Sequence, residues 1–415
     1  MNDLIKKIKN RGFFHIFNAS FLNKIIQFCS GIFLVRVLTK EDFGVYSYAQ
    51  NILNMVLLVS GLGTIYALMQ FGSESTDDSK RNVYFRYGLK IGFMFNFLLM
   101  IGIVLFSNLF PFEIEEAQHI VLLMCFMPIC MYAFELIQTY FRTGLYNVEF
   151  SKLSTTNTFF IFVFSILGAI IYGIQGVVMS TYIAYTLSIV VGIFLIKKKK
   201  KWSSVSKLNK GEKVDFLKYS SISMLNNAIS QLVYLADLFI IGILIKDVNI
   251  IASYKAATIL PFALNFIPIS LMTFIYPYFA KNKDDKVWIK EKLLLMQKYL
   301  ILFNLFITII LIAAAPLVIK IIFGEQYLDS VNIFRVLCIS YFIASSFRIP
   351  AGNILVMMRK VNYIFYVNLV TGILNIGLDI ILINQFSIWG AVTTTIIIIM
   401  TTSILYNVYL YRILK

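Results

Sequence analysis

The chain is a succession of apolar stretches, each long enough to cross a lipid bilayer. A helical span needs roughly 20 residues to cover about 30 Å of hydrocarbon at about 1.5 Å per residue. Twelve stretches qualify, at about 14–36, 45–70, 83–106, 119–141, 151–172, 174–196, 216–243, 251–279, 294–319, 330–356, 361–383 and 387–410. Of the 415 residues 59% are hydrophobic and only 14% charged, which excludes an ordinary soluble domain. Backbone groups in lipid must bond within their own segment, so the runs are expected to be helices. The expected fold is an all-α polytopic membrane protein with twelve transmembrane helices.

One polar interruption orders the rest. Residues 197–218, KKKKKWSSVSKLNKGEKVDFLK, hold nine lysines between two apolar runs. A polycationic segment beside a span resists translocation and is drawn to anionic lipid, which fixes it on the cytoplasmic side. The formal charge of +16 then reports orientation rather than nucleic-acid binding, since most Lys and Arg fall on that side. The opposite turns are acidic, with Glu41, Asp42, Glu113, Glu115, Glu116, Asp247, Glu325 and Asp329. Both termini are placed in the cytoplasm. The expected domains are an N-terminal lobe at 1–200, a basic cytoplasmic linker at 201–215 and a C-terminal lobe at 216–415.

Chemistry that needs clustered ligands or a nucleophile has little to work with. Cys29, Cys125, Cys130 and Cys338 fall inside predicted spans without CxxC spacing, and His15 and His119 are the only histidines. No metal site, cofactor, Walker loop or Ser/His/Asp set is visible, so an enzyme is not expected. The start, MNDLIKKIKNRGFF, has the charge of a signal peptide, but Asn18, Asn23 and Lys24 interrupt the following apolar region. It is read as an uncleaved first span.

The two halves repeat. A shift of 208 places Asn18 over Asn226 and Asn23 over Gln231, and lays Phe43–Ala49 on Ile251–Ala257. A shift of 214 lays Tyr172-Gly-Ile-Gln-Gly-Val-Val178 on Phe386-Ser-Ile-Trp-Gly-Ala-Val392. Six spans per half is an even number, so both halves start on the same side. The pseudo-two-fold axis relating the six-helix lobes is therefore expected along the membrane normal, with the substrate path between them.

The run Arg36-Val-Leu-Thr-Lys-Glu-Asp-Phe-Gly-Val-Tyr46 resembles the R-x-L-x-x-x-x-F/Y-G-x-Y pattern after the first span of Wzx-type polysaccharide flippases of the MATE/MOP superfamily. Similar family patterns stand at Gly61-Leu-Gly-Thr64, Ala236-Asp-Leu-Phe-Ile-Ile-Gly242, Ala315-Pro-Leu-Val-Ile-Lys-Ile-Ile-Phe-Gly-Glu-Gln-Tyr327 and Gly390-Ala391. Ser387 departs from the family's usual Gly before the Ile-x-Gly turn. The resemblance covers the whole chain. It implies a V-shaped twelve-helix transporter that moves an undecaprenyl-diphosphate-linked oligosaccharide repeat unit from the inner to the outer leaflet by alternating access, for O-antigen or capsule assembly. Other polysaccharide assembly proteins are implied as partners.

Charged residues within spans are the candidate site. An unpaired ammonium at mid-bilayer depth costs roughly 2.5–3.5 kcal/mol on insertion scales, so Lys24 is expected to face a wet cavity or a carboxylate, in a first helix that also carries Asn18 and Gln27. Arg86 and Lys90, four apart, share a helix face and would repel unless an anion lay between them. Lys255 begins the eighth span, and Arg348 stands beside Pro350 and Gly352, where a kink is expected. These five form the expected cationic substrate site between the lobes, lined also by Asn226, Tyr46 and Tyr254, the tyrosines to stack on sugars. Glu135 is read first as a counter-ion to Lys24 or Lys90, and otherwise as a proton carrier or cation ligand. Asp237 and Asp379 are candidates for a coupling proton or sodium ion, although Asp379 is close enough to the boundary to be merely solvated. The alternative function is a MATE-like cation-coupled multidrug antiporter, whose cationic substrates favour an acidic or aromatic cavity.

Overall fold

A computed structural model describes residues 13–75, 78–199, 207–282 and 284–415. Among these residues the chain is helical with no strand, in sixteen α-helices. They are α1 Phe13–Val37, α2 Lys40–Leu57, α3 Thr64–Glu74, α4 Asp78–Leu109, α5 Glu115–Leu123, α6 Met127–Thr143, α7 Asn147–Lys199 and α8 Lys210–Ile245 in the first part. They continue as α9 Val248–Leu264, α10 Phe266–Lys281, α11 Lys286–Ala313, α12 Ala315–Ile322, α13 Val331–Ile343, α14 Ile349–Met357, α15 Val361–Phe386 and α16 Ile388–Ile413. Nine helical stretches are long and apolar enough to cross a bilayer, or ten if the bent pair α5–α6 counts as one. Their outward faces carry large apolar side chains such as Phe97, Leu105, Phe106, Phe194, Phe303 and Phe306. Water would penalise such a surface; lipid tails accept it.

Several expected spans are broken, each for a local reason. The expected span at 45–70 is divided into α2 and α3 by a tight turn at Ser60–Gly63, where Gly61, Leu62 and Gly63 all have positive φ. A Cβ on Gly61 would lie 2.2 Å from the Tyr132 ring, so the turn needs glycine there for space as well as backbone. The fully buried Asn96 of α4 accepts hydrogen bonds from the Gly61 amide (2.9 Å) and the Ser60 hydroxyl (3.1 Å). It thus satisfies a backbone donor that the break leaves without a helical partner. The expected span at 119–141 is bent by 47° between α5 and α6, ahead of Pro128. At 53 residues α7 would be about 80 Å long if straight. It reverses instead at Tyr172–Gly173, where Gly173 has φ 58° and ψ −138°. The close approach of Gly168 to Gly176 shows the reversal: a Cβ on Gly168 would lie 2.2 Å from the Gly176 carbonyl oxygen. The two arms correspond to the expected spans 151–172 and 174–196.

The chain divides into two compact units, Met1–Leu232 and Val233–Lys415. The division falls inside α8. Residues 200–206 lie outside the described set, and helix resumes at Lys210. The start of α8 belongs to the first unit because Phe216, fully buried, stacks on Tyr84 (5.7 Å, 9°). Ser220 also donates to the Leu62 carbonyl (2.9 Å), and Lys80 pairs with Glu212 (3.0 Å). Around Phe216 the first core gathers Tyr132, Leu136, Phe141 and Leu153. The second unit centres on Ile289, Leu293, Ile354, Leu355 and Leu410. There the expected kink at Arg348 is a single π-helical turn, Ala344–Arg348, followed by Pro350. Ser345 donates to Asn265 (3.0 Å), and Asn304 donates to Ser346 (3.2 Å) while accepting from Tyr341 (2.9 Å). Neighbouring helices are thereby tied to the widened turn.

Candidate ion site and scattered cations

The second unit brings together two acids that the sequence leaves 142 residues apart. Asp237 of α8 and Asp379 of α15 meet within hydrogen-bonding range. Tyr254 of α9 and Thr395 of α16 each donate to Asp237 Oδ2 at 3.3 Å, and the Asn375 side chain also reaches Asp237. Asp379 is completely buried, so the expectation that it is merely solvated is corrected: it sits on the inward face of α15 with Asn375, one turn away. Both Asp379 oxygens, Asp237 Oδ1, Asn375 Oδ1 and Thr394 Oγ1 are buried without a hydrogen-bond partner. Two adjacent buried carboxylates cannot both stay negative unless a proton or cation joins them. The five unpartnered oxygens are all hard donors of the kind that suit a proton or an alkali cation. Asn375, Thr394 and Thr395 were not singled out from the sequence. The four-residue spacing of Asn375 and Asp379, which places both on one helix face, was the available signal.

In the first unit the candidate cations are open to their surroundings. Lys24, Arg86 and Lys90 are exposed, and so is Gln27, whose Oε1 accepts from the Lys24 ammonium at 3.5 Å. Among the described residues no ion pair joins Glu135 to Lys24 or Lys90. Glu135 is exposed. Tyr46 lines a cavity of about 180 Å³ within this unit, together with Gln50, Met124, Ser165, Thr181 and Tyr185. The side chain of Asn18 lies outside the described residues. Asn226 is exposed on α8.

In the second unit Lys255 is exposed, while its neighbour Tyr254 is buried and bonded to Asp237. Arg348 is half-buried at the end of the π turn. Tyr254 is therefore committed to the acidic pair and is not free to stack on a ligand. Of the expected site residues in the second unit, the structure joins Asp237, Asp379 and Tyr254 in one cluster.

The sequence profile of a family described as "Polysaccharide biosynthesis protein" matches residues 33–332. No curated relative matches by sequence. Solved structures show the fold. An inward-facing multidrug resistance MATE family transporter of the MOP superfamily superposes with a TM-score of 0.80 at 10% identity, covering 94% of each chain. The lipid II flippase MurJ in an inward closed conformation gives 0.76 at 16% identity over 96% of this chain and 87% of that one. A MOP superfamily transporter from Pyrococcus furiosus gives 0.63 at 12% identity over 99% and 96%.

Proposed function

Because the chain belongs to the polysaccharide biosynthesis protein family, we propose that it is a flippase. Its cargo is an undecaprenyl-diphosphate-linked oligosaccharide repeat unit, carried from the inner to the outer leaflet of the bacterial cytoplasmic membrane for surface polysaccharide assembly. The family match over residues 33–332 carries this reading. It takes the two arms of α7 as separate spans and the apolar part of α8 as another, making twelve spans in two lobes of six with both termini cytoplasmic. Lys24, Arg86 and Lys90 of the first unit and Lys255 and Arg348 of the second serve the diphosphate by charge-assisted hydrogen bonding. Asp237 and Asp379 take the coupling proton or sodium ion, with Asn375 and Thr395 completing the site. A carboxylate pair that changes occupancy between conformations converts an ion gradient into a population shift.

Proteoliposomes carrying a fluorescent lipid-linked oligosaccharide test this. Flipping that appears only with the protein, and that fails in Asp379→Asn, supports it; no flipping by the wild type ends it. The second reading, a cation-coupled multidrug antiporter, is favoured by the fold likeness to a multidrug transporter. Drug susceptibility on deletion of the gene discriminates the two.

A further inference from the structure

A groove on the first unit is built for an amphiphile. It opens between the first half of α1 and the two ends of α7, with a volume of about 530 Å³. One wall is apolar, from Leu22 of α1 and Val191 and Leu195 near the end of α7. The other is polar, from Ser151, Lys152 and Thr155 at the start of α7. Both ends of α7 and the beginning of α1 lie at the same end of this unit as the lysines that close α7, Lys197–Lys199. That end is cytoplasmic in the orientation proposed above.

The polar wall is unsatisfied. Elsewhere in α7 the hydroxyls of Thr158, Thr181 and Ser188 donate to the carbonyl four residues back, the usual settlement for a hydroxyl in a membrane helix. Ser151 does not: it is only 7% exposed, lines the groove, and its Oγ has no partner. Lys152 is exposed, three residues after Glu149 on the same helix. Inward of them the track along the groove is Thr155 and Thr156. Asn23 of α1 donates to Ser154 (2.8 Å), leaving Asn23 Oδ1 and Asn157 Oδ1 buried and unpartnered. A phospholipid headgroup would use the Lys152 end alone. The inward track of threonine hydroxyls supplies hydrogen-bonding capacity that a phosphate does not need and a sugar does.

The geometry points to this groove as the docking site for the lipid carrier of the substrate. The diphosphate sits on Lys152 and Ser151, the first isoprene units lie along Leu22, Val191 and Leu195, and the glycan faces the inward track. The inference rests on the flippase reading and adds a lateral docking step before transport, at residues distinct from the five cations assigned above. Lys152 is exposed, so its substitution leaves the packing intact.

The test is retention of undecaprenyl diphosphate by the full-length protein in detergent, read by native mass spectrometry, with phosphatidylglycerol as the comparison lipid. Lys152→Glu and Leu22→Trp are each expected to weaken undecaprenyl diphosphate retention by about tenfold, with phosphatidylglycerol retention unchanged and Lys152→Arg close to wild type. Retention of the diphosphate unchanged in both disruptive variants overturns the groove. Parallel loss of both lipids also overturns it, since Lys152 would then be an ordinary headgroup contact. If the wild type retains no undecaprenyl diphosphate, the flippase reading itself falls and this inference with it. Wild-type flipping that persists unaltered in both variants overturns the groove alone.

Discussion

Gly173 and Ser387, 214 residues apart, hold the same backbone conformation: φ 58° and ψ −138° at Gly173, φ 54° and ψ −138° at Ser387. Each turns a helical hairpin, and each hairpin closes on a glycine three residues later. A Cβ on Gly176 would lie 2.0 Å from the Gly168 carbonyl oxygen, and one on Gly390 would lie 2.2 Å from the Leu382 carbonyl carbon. Gly168 and Leu382 are again 214 apart. The sequence repeat at these positions is thus a repeat of geometry, held in both halves by the same turn and the same glycine contact.

Only one of the two turns carries a residue suited to it. Positive φ strains a residue with a Cβ by roughly 1–2 kcal/mol, and at Gly173 a Cβ would meet nothing within 4 Å, so the cost there is backbone alone. Ser387→Gly is expected to stabilise the purified protein by about 1 kcal/mol and Gly173→Ser to destabilise it by a similar amount. Thermal unfolding in detergent reads both. A Ser387→Gly protein that melts lower than wild type would contradict the assignment of strain.

The break between α2 and α3 rests on Tyr132. Its hydroxyl donates to the Gly88 carbonyl (2.6 Å) and shares a hydrogen bond with Thr64 (2.7 Å), while its ring fills the space beside Gly61. Tyr132→Phe leaves the ring and strands buried polar partners, at an expected cost of about 1–3 kcal/mol. Gly61→Ala forces the ring away as well and should cost more. Melting temperatures in the opposite order would refute this account of the turn.

The start of α8 gives a pH dependence. The Asn209 amide donates to Glu212 (3.0 Å) and Lys80 pairs with it, and these hold the Glu212 carboxyl below the usual carboxylate range. A carboxyl whose folded value is depressed stabilises the docked segment above its unfolded value, and that stability is lost as pH falls through the folded value. Protection from hydrogen exchange at residues 209–216, taken relative to the intrinsic rate at each pH, is therefore expected to fall as pH drops below the usual carboxylate range in the wild type. Glu212→Gln should exchange faster at neutral pH and lose that dependence; an unchanged profile would show that the contact does not hold the segment.

The acidic pair gives a sharper separation of roles. Asp237→Asn and Asp379→Asn are each expected to remove the ion dependence of flipping and reduce its rate by at least about tenfold, while Thr395→Val, losing one neutral hydrogen bond, has a smaller effect. Flipping measured with and without imposed proton and sodium gradients reads this. Ion-dependent flipping that survives in Asp379→Asn would remove the pair from coupling.

Much of this was legible in the sequence, and the rest was not for identifiable reasons. Apolar length and lysine placement located the helices, because bilayer thickness and backbone satisfaction leave few alternatives. The kink at Arg348 followed from Pro350. The break at Ser60–Gly63 did not emerge from hydropathy, since Asn96, which completes it, lies on another helix 35 residues away. Asp379 read as near the boundary because span ends are inferred from composition, whereas its burial depends on how α15 turns against α8 and α16. Ser151 and Lys152 passed unnoticed because serine and threonine in a membrane helix usually bond to their own backbone, and only the structure shows which of them do not.

The central claim is that cationic side chains carry a diphosphate-linked glycan lipid across the membrane. Reconstituted flipping of a fluorescent lipid-linked oligosaccharide, compared for wild type, Lys24→Glu and Arg348→Glu at equal protein incorporation, tests it most directly. The account predicts flipping by the wild type and at least about a tenfold loss in each variant, from repulsion between the new carboxylate and the diphosphate. Wild-type rates in both variants, or export of cationic dyes with no flipping by the wild type, would contradict it.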